Sequence, residues 1–197
     1  MTNNELKSIM DKDASYYNSF TKKTHIKMIL TNSHFYVIHK YMKLLRHEEY
    51  YRQKSMGVYM LSIKWWSLYT REKNKLGNTL GFYINPNTLG AGTIIYHHGS
   101  IIINSNAVLG CGRKLYGNNC IGNDGKSLMT PHIGNNVEIG FGASIIGDIT
   151  VADDVQIGAG AVVVKSCLKK AHGLLGFLQK RYRCNFRFYI WKFRCIQ

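Results

Sequence analysis

Between residues 103 and 167 the aliphatic positions of the chain return every six residues. Read from Ile103, the sequence divides into INSNAV, LGCGRK, LYGNNC and IGNDGK, is interrupted by SLMTPH, and resumes as IGNNVE, IGFGAS, IIGDIT, VADDVQ, IGAGAV and VVKSC. Ile, Leu or Val opens every unit except SLMTPH, and Gly follows it at Gly110, Gly122, Gly134, Gly140 and Gly158. A small or β-branched residue recurs at the fifth place, in Ala107, Val137, Ala143, Val155 and Ala161. An amphipathic strand alternates with period two and a helix with period 3.6, so neither produces this register. A period of six with one inward aliphatic side chain describes a short strand, a tight corner and the next strand. Three such units close a triangular coil, and stacked coils bury the aliphatic columns as one core. Gly and Asn at the corners supply the backbone freedom the turns require.

The pattern differs on either side. Residues 1–80 read as mainly helical, with HFYVIHKYMKLLRHEEYYRQ and VYMLSIKWWSLYTREK interleaving aromatic, aliphatic and basic positions. The simpler expectation is a helical cap on the first coil with its basic face in solvent. The alternative adds peripheral contact with a membrane through aromatic and basic side chains. Residues 168–197 form a tail in which FRFYIWKFR alternates aromatic and basic residues, a pattern shared by edge strands, membrane-surface segments and nucleic-acid contacts. The predicted organisation is therefore a helical region over 1–80, a β-helix over 81–167 and a basic aromatic tail over 168–197.

Charge follows the same division. The formal net charge of +15 resides in the flanks, +8 in each, whereas the middle stands at −1. That distribution argues against a nucleic-acid groove across the core and fits an anionic surface or an anionic ligand at the ends. The N-terminus is polar and has no apolar h-region of a secretory signal, and no stretch has the roughly 18–20 apolar residues of a membrane span. The five cysteines show neither a CxxC pair nor a zinc spacing. A reduced cytoplasmic protein, with or without peripheral attachment at the inner face of the membrane, is the expectation.

The hexads, together with INPNTLGAG at 84–92 and IIYHHGSIIIN at 94–104, resemble those of hexapeptide-repeat acyltransferases. Within that family the chain is most similar to the serine acetyltransferase-like enzymes of surface-polysaccharide gene clusters. The resemblance covers residues 81–166 and implies a mainly β fold, a left-handed parallel β-helix with a mostly helical N-terminal region. Its handedness comes from the family, since crossovers between parallel strands are ordinarily right-handed.

The resemblance also assigns roles. The first histidine of the signature is the general base, which places that function on His97, with His98 in the neighbouring position as a wall of the acceptor site. Imidazole suits the task, because acetyl transfer from a thioester to a hydroxyl requires removal of the hydroxyl proton near neutral pH. Serine acetyltransferases usually pair this base with a nearby Asp; here the residue preceding His97 is Tyr96, and no orienting carboxylate is evident. Asp124 is a candidate from the interrupting loop NDGKSLMTPH, with a solvated turn aspartate as the plainer alternative. In the same loop serine acetyltransferases carry a second histidine before a proline, where this chain has Thr130 before Pro131. The loop is also about two residues shorter, so a sugar hydroxyl fits better than serine as acceptor.

Coenzyme A in the family lies along the coil edge between subunits. By match to the motifs its candidate contacts are Gly142, Ala143, Gly160, Ala161 and Lys165, although corners of the repeat demand small residues in any case and Lys165 has a solvated alternative. The GVPA-like ending that closes the adenine site in relatives is missing, and the tail stands in its place. No metal is expected: γ-type carbonic anhydrases share the fold, but adjacent strand residues point to opposite faces, so His97 and His98 would not join His132 around one zinc ion.

These features together imply an acetyl-CoA-dependent O-acetyltransferase acting directly, without an acyl-enzyme, on a sugar or glycan precursor. A homotrimer is expected by resemblance, with no nucleic-acid partner. Serine O-acetyltransferase is the alternative within the same chemistry. A non-catalytic β-helix scaffold binding membrane or nucleic acid through basic flanks is the alternative from another class.

Overall fold

A computed structural model of the chain describes residues 1–55 and 60–168, so the basic aromatic tail lies outside the described residues save for Leu168. Among these described residues five helices come first: α1 (Asn3–Asp13), α2 (Ser15–Asn18), α3 (Lys22–Leu30), α4 (His34–Ser55) and α5 (Met60–Leu80). Twelve short strands follow: β1 (Phe82–Ile84), β2 (Ile94–Ile95), β3 (Ile101–Ile103), β4 (Val108–Leu109), β5 (Lys114–Leu115), β6 (Cys120–Gly122), β7 (His132–Ile133), β8 (Glu138–Ile139), β9 (Ser144–Ile146), β10 (Thr150–Val151), β11 (Gln156–Ile157) and β12 (Val162–Val163).

All strand pairs are parallel, and they form three sheets. Sheet I runs β1-β3-β6-β9-β12, sheet II β4-β7-β10 and sheet III β2-β5-β8-β11. The chain visits I, II and III in turn, which is the triangular coil the hexads require. Each sheet carries one inward aliphatic column, Ile84–Ile103–Ile121–Ile145–Val163 in sheet I and Ile95–Leu115–Ile139–Ile157 in sheet III. In sheet II, Leu89, Leu109, Ile133 and Val151 do the same. Every one of these side chains is buried, and full burial of each contributes about 1.5–3 kcal/mol.

Two breaks in the period become loops. SLMTPH belongs to an exposed excursion between β6 and β7, and Ser127, which stands where an inward aliphatic residue would fall, is exposed. A second break lies between Ile95 and Ile103, where His97, His98, Gly99 and Ser100 widen the corner from sheet III to sheet I.

The fifth hexad position is inward too, and it holds more than small residues. Arg113 and Asn119 occupy it with almost no exposure. Asn119 donates to the Gly140 carbonyl at 2.8 Å, and Arg113 donates to the carbonyls of Gly110, Ile133 and Gly134. Both side chains thus bond corner carbonyls from inside the coil, those of Ile133 and Gly140 in addition to the backbone amides of Gly110 and Ala143.

The helices cap the first coil. Ile38, Tyr41, Met42 and Leu45 of α4 join the same core as Phe82, Ile84, Ile95 and Ile101, and α5 delivers the chain to β1. Gly77 sits so close to the β1 backbone that a Cβ there would meet the Phe82 carbonyl oxygen at 2.8 Å. The expectation of a wholly solvated basic face fails at Arg46 and Lys73, both buried. Arg46 pairs with Asp13 of α1 at 2.7 Å and Glu49 at 2.9 Å, and donates to the carbonyls of Leu89 and Gly90 in the first coil. Asp13 and Glu49 complete the joint by accepting from the amides of Gly92 and Asn87, each at 2.7 Å. Among the described residues no helix is long and apolar enough to cross a membrane.

Candidate functional site

The corner from sheet III to sheet I stacks coil upon coil: residues 96–100 above 116–119, then 140–143, then 158–161. Three coil spacings of roughly 4.8 Å make this edge about 15 Å long. His97 and His98 stand at its first coil. A Cβ on Gly117 would lie 3.3 Å from the His97 carbonyl oxygen, 3.4 Å from its Cβ and 3.4 Å from the Phe141 ring. Gly117 has φ 110°, where an L side chain is strained, so this glycine lets the next coil approach the histidine. Phe141, half-exposed, extends the wall downward.

Tyr96 and Tyr116 stack with ring centroids 4.8 Å apart, and Tyr16 of α2 meets Tyr96 edge-on at 5.1 Å. The residue preceding His97 thus carries an aromatic ring packed on other rings.

The two adjacent histidines do not diverge as strand residues would. They lie in the widened corner, outside any strand, and both rings lie 6.1 Å from that of His34, the first residue of α4. The ring of His34 is near-parallel to that of His97 and perpendicular to that of His98. His34 also packs against Phe35 at 3.9 Å. Burial, and then the proximity of His97 and His98, lower its pKa below the ordinary imidazole value. Sequence reasoning missed His34, because its partners are brought to it by tertiary packing of a helix on a coil. Among the described residues no group of three His, Cys, Asp or Glu side chains is placed to hold a metal ion.

Gly142 and Gly160, both at positive φ, occupy the lower coils of the same edge, and a Cβ on Gly142 would lie 3.9 Å from the Gly160 nitrogen. Ala143 and Ala161 beside them turn their side chains into the core. The amide hydrogens of all four are engaged within the coils, donating to Gly117, Gly140, Phe141 and Gly158 carbonyls. What this strip offers a ligand is its lack of side-chain bulk.

The remaining candidates lie elsewhere. Asp124, Thr130 and Lys165 belong to the corner from sheet I to sheet II, separated from His97 within one chain by the width of sheet I, about 10 Å for a three-residue strand. Asp124 is fully exposed and forms a turn, its Oδ1 accepting from the amides of Lys126 at 2.9 Å and Ser127 at 3.0 Å. Those bonds hold its carboxyl below the usual range. Thr130 is buried and Lys165 exposed. Leu128 and Met129 are the apolar side chains that the loop leaves in solvent.

Comparison with known proteins adds to this geometry. Residues 130–165 match the family model described as bacterial transferase hexapeptide (six repeats). A putative colanic acid biosynthesis acetyltransferase WcaB of Escherichia coli K12 is 42% identical over 80 residues, covering 40% of this chain and 49% of that protein. A serine acetyltransferase of Helicobacter pylori is 37% identical over 87 residues, 43% of this chain and 51% of the relative. The chain thus spans about half the length of the curated relatives it matches. The Neisseria gonorrhoeae serine acetyltransferase structure superposes with a TM-score of 0.63 at 23% identity, covering 83% of this chain and 62% of that one. The resemblance read from the hexads stands, and residues 130–165 carry bacterial transferase hexapeptide repeats. The fold is the left-handed parallel β-helix of serine acetyltransferases, preceded by helices.

Proposed function

We propose that the chain is an O-acetyltransferase that transfers an acetyl group from acetyl-CoA to a hydroxyl of a sugar or glycan precursor. One observation carries this reading: His97 and the bare strip of Gly142 and Gly160 share a single edge of the β-helix. An extended thioester lying along that strip has its reactive end at the histidine corner.

In this mechanism the acceptor oxygen attacks the thioester carbonyl carbon while an imidazole nitrogen of His97 takes the hydroxyl proton. The resulting tetrahedral adduct collapses with cleavage of the C–S bond. The departing thiolate recovers the proton from the imidazolium, giving the acetyl ester and free coenzyme A. Proximity of donor and acceptor in one ternary complex supplies much of the rate, and no acyl-enzyme is required.

The I/II corner, with Asp124, Thr130 and Lys165, joins the site in a homotrimer, where that edge of one subunit faces the III/I edge of the next. Serine is the weaker acceptor, because Tyr96 precedes His97 with no orienting carboxylate evident in the sequence, and Thr130 stands where serine acetyltransferases carry a second histidine.

The test is release of free thiol from acetyl-CoA on addition of candidate sugars or serine. Sugar-dependent release that collapses in His97→Ala is the expected result. Release that survives the substitution removes the base assignment. A folded protein that releases no thiol with any acceptor is a scaffold.

A further inference from the structure

We propose that His34 is a third residue of the acceptor site and that, with His98, it receives an anionic oxygen group, a carboxylate or phosphate, carried by the acceptor sugar. The proposal rests on the acetyl-transfer reading of the His97 corner.

Three imidazoles converge there, His34 from α4 and His97 and His98 from the widened coil corner. Among the described residues no three such side chains are placed to hold a metal ion. The His34 Nε2 is buried and has no hydrogen-bond partner, and neither has the buried Oγ of Ser33 beside it. Buried polar atoms are almost always paired, so the unpaired nitrogen of His34, on a ring that meets those of His97 and His98, points to a ligand that pairs it.

The charge around them selects its sign. The groups acting on His34 are His97 and His98, and no carboxylate is among them. The other titratable side chains on this side are the phenols of Tyr16, Tyr96 and Tyr116, the Lys114–Glu138 pair further along sheet III, closed at 2.6 Å, and, in the cleft beside Phe35, Tyr17, His39 and Asp13, whose carboxylate pairs with Arg46. With both of these carboxylates already paired, Glu138 to lysine and Asp13 to arginine, a site of protonatable rings favours an acceptor that brings negative charge. The basic flanks add a field of the same sign.

Burial, and then the proximity of His97 and His98, lower the pKa of His34. An anion seated against it reverses that balance, so binding is coupled to uptake of a proton. Affinity for the anionic sugar therefore rises as pH falls through the imidazole range, whereas affinity for a neutral sugar does not.

The experiment follows the imidazole resonances of the full-length protein by NMR while glucose, glucuronate or glucose 1-phosphate is added between pH 5.5 and 8. Expected are at least ten-fold tighter binding of an anionic sugar than of glucose and an upward shift of the His34 titration. Glucuronate and glucose 1-phosphate separate carboxylate from phosphate. His34→Asn, which retains a donor but cannot take a charge, removes both the preference and its pH dependence. Equal binding of glucose and both acids, an unmoved His34 titration, or a preference that persists in His34→Asn overturns the proposal. The wild-type titration decides the matter even if the variant does not fold. The two readings fail separately: anion binding at His34 without thiol release defeats acetyl transfer alone, and thiol release with glucose while His34 does not respond defeats this inference alone.

Discussion

Arg113 places a guanidinium on the inner column of the β-helix, at a register position that Thr93, Val137 and Val155 fill in the coils around it. Burial lowers its pKa to about 10, and its Nε has no partner. Replacing a buried charge by an apolar side chain of similar reach is often neutral or stabilising by about 1–4 kcal/mol. Arg113→Met is therefore expected to unfold at equal or higher urea concentration than the parent. A loss of more than about 2 kcal/mol would show instead that the three carbonyl contacts hold the corner together. At the candidate site, Gly117→Ala strains a residue at φ 110° and presses on His97. It is expected to lower kcat with a smaller effect on the KM for acetyl-CoA. The hexad frame made Ile121, Val137 and Ile157 readable as core in advance, because a six-residue period fixes which side chains turn inward. The same frame offered no reason to expect Arg113 there. His34 was illegible for a different cause: it meets His97 and His98 only through packing between a helix and a coil, and local periodicity carries no information about such contacts.

At the scale of elements, the helical region is both anchor and wall. Arg46, Asp13 and Glu49 join α1 and α4 to the first coil in a buried network. Removing its one cation leaves two buried carboxylates, so Arg46→Ala should cost about 3–5 kcal/mol in chemical denaturation. The acidic pair in LRHEEYY was visible in the sequence, but nothing in its spacing told that it faces the coil. Beside this joint Tyr17 is sandwiched between His25 and His39, with centroid distances of 4.5 Å and 4.2 Å and both pairs within 5° of parallel. Burial first, then Lys43 and His25, hold His39 down at about 4. Its pKa is depressed on folding, so the unfolded chain binds the extra proton between about 6.5 and 4. Stability is full above the unfolded value and falls as pH drops through that window. Melting temperatures measured from pH 7 to 4.5 should show this loss, and His39→Phe should flatten it.

The whole molecule presents two edges with complementary equipment. The III/I edge holds His34, His97, His98 and the glycine strip; the I/II edge holds the 123–131 excursion and Lys165. The proposed threefold arrangement would set one against the other, and light scattering should then give three times the 22.5 kDa of the chain. A monomer with full activity would confine the site to the III/I edge. Acetyl transfer at that edge depends, in the proposed chemistry, on His97 as the base. Purified protein, acetyl-CoA and an acceptor sugar, with free thiol followed over time, test it most directly. The predicted result is a roughly 10²–10⁴-fold fall in acceptor-dependent thiol release for His97→Ala, with acetyl-CoA binding and the circular dichroism spectrum retained. Thiol release at the parent rate in that variant would contradict it.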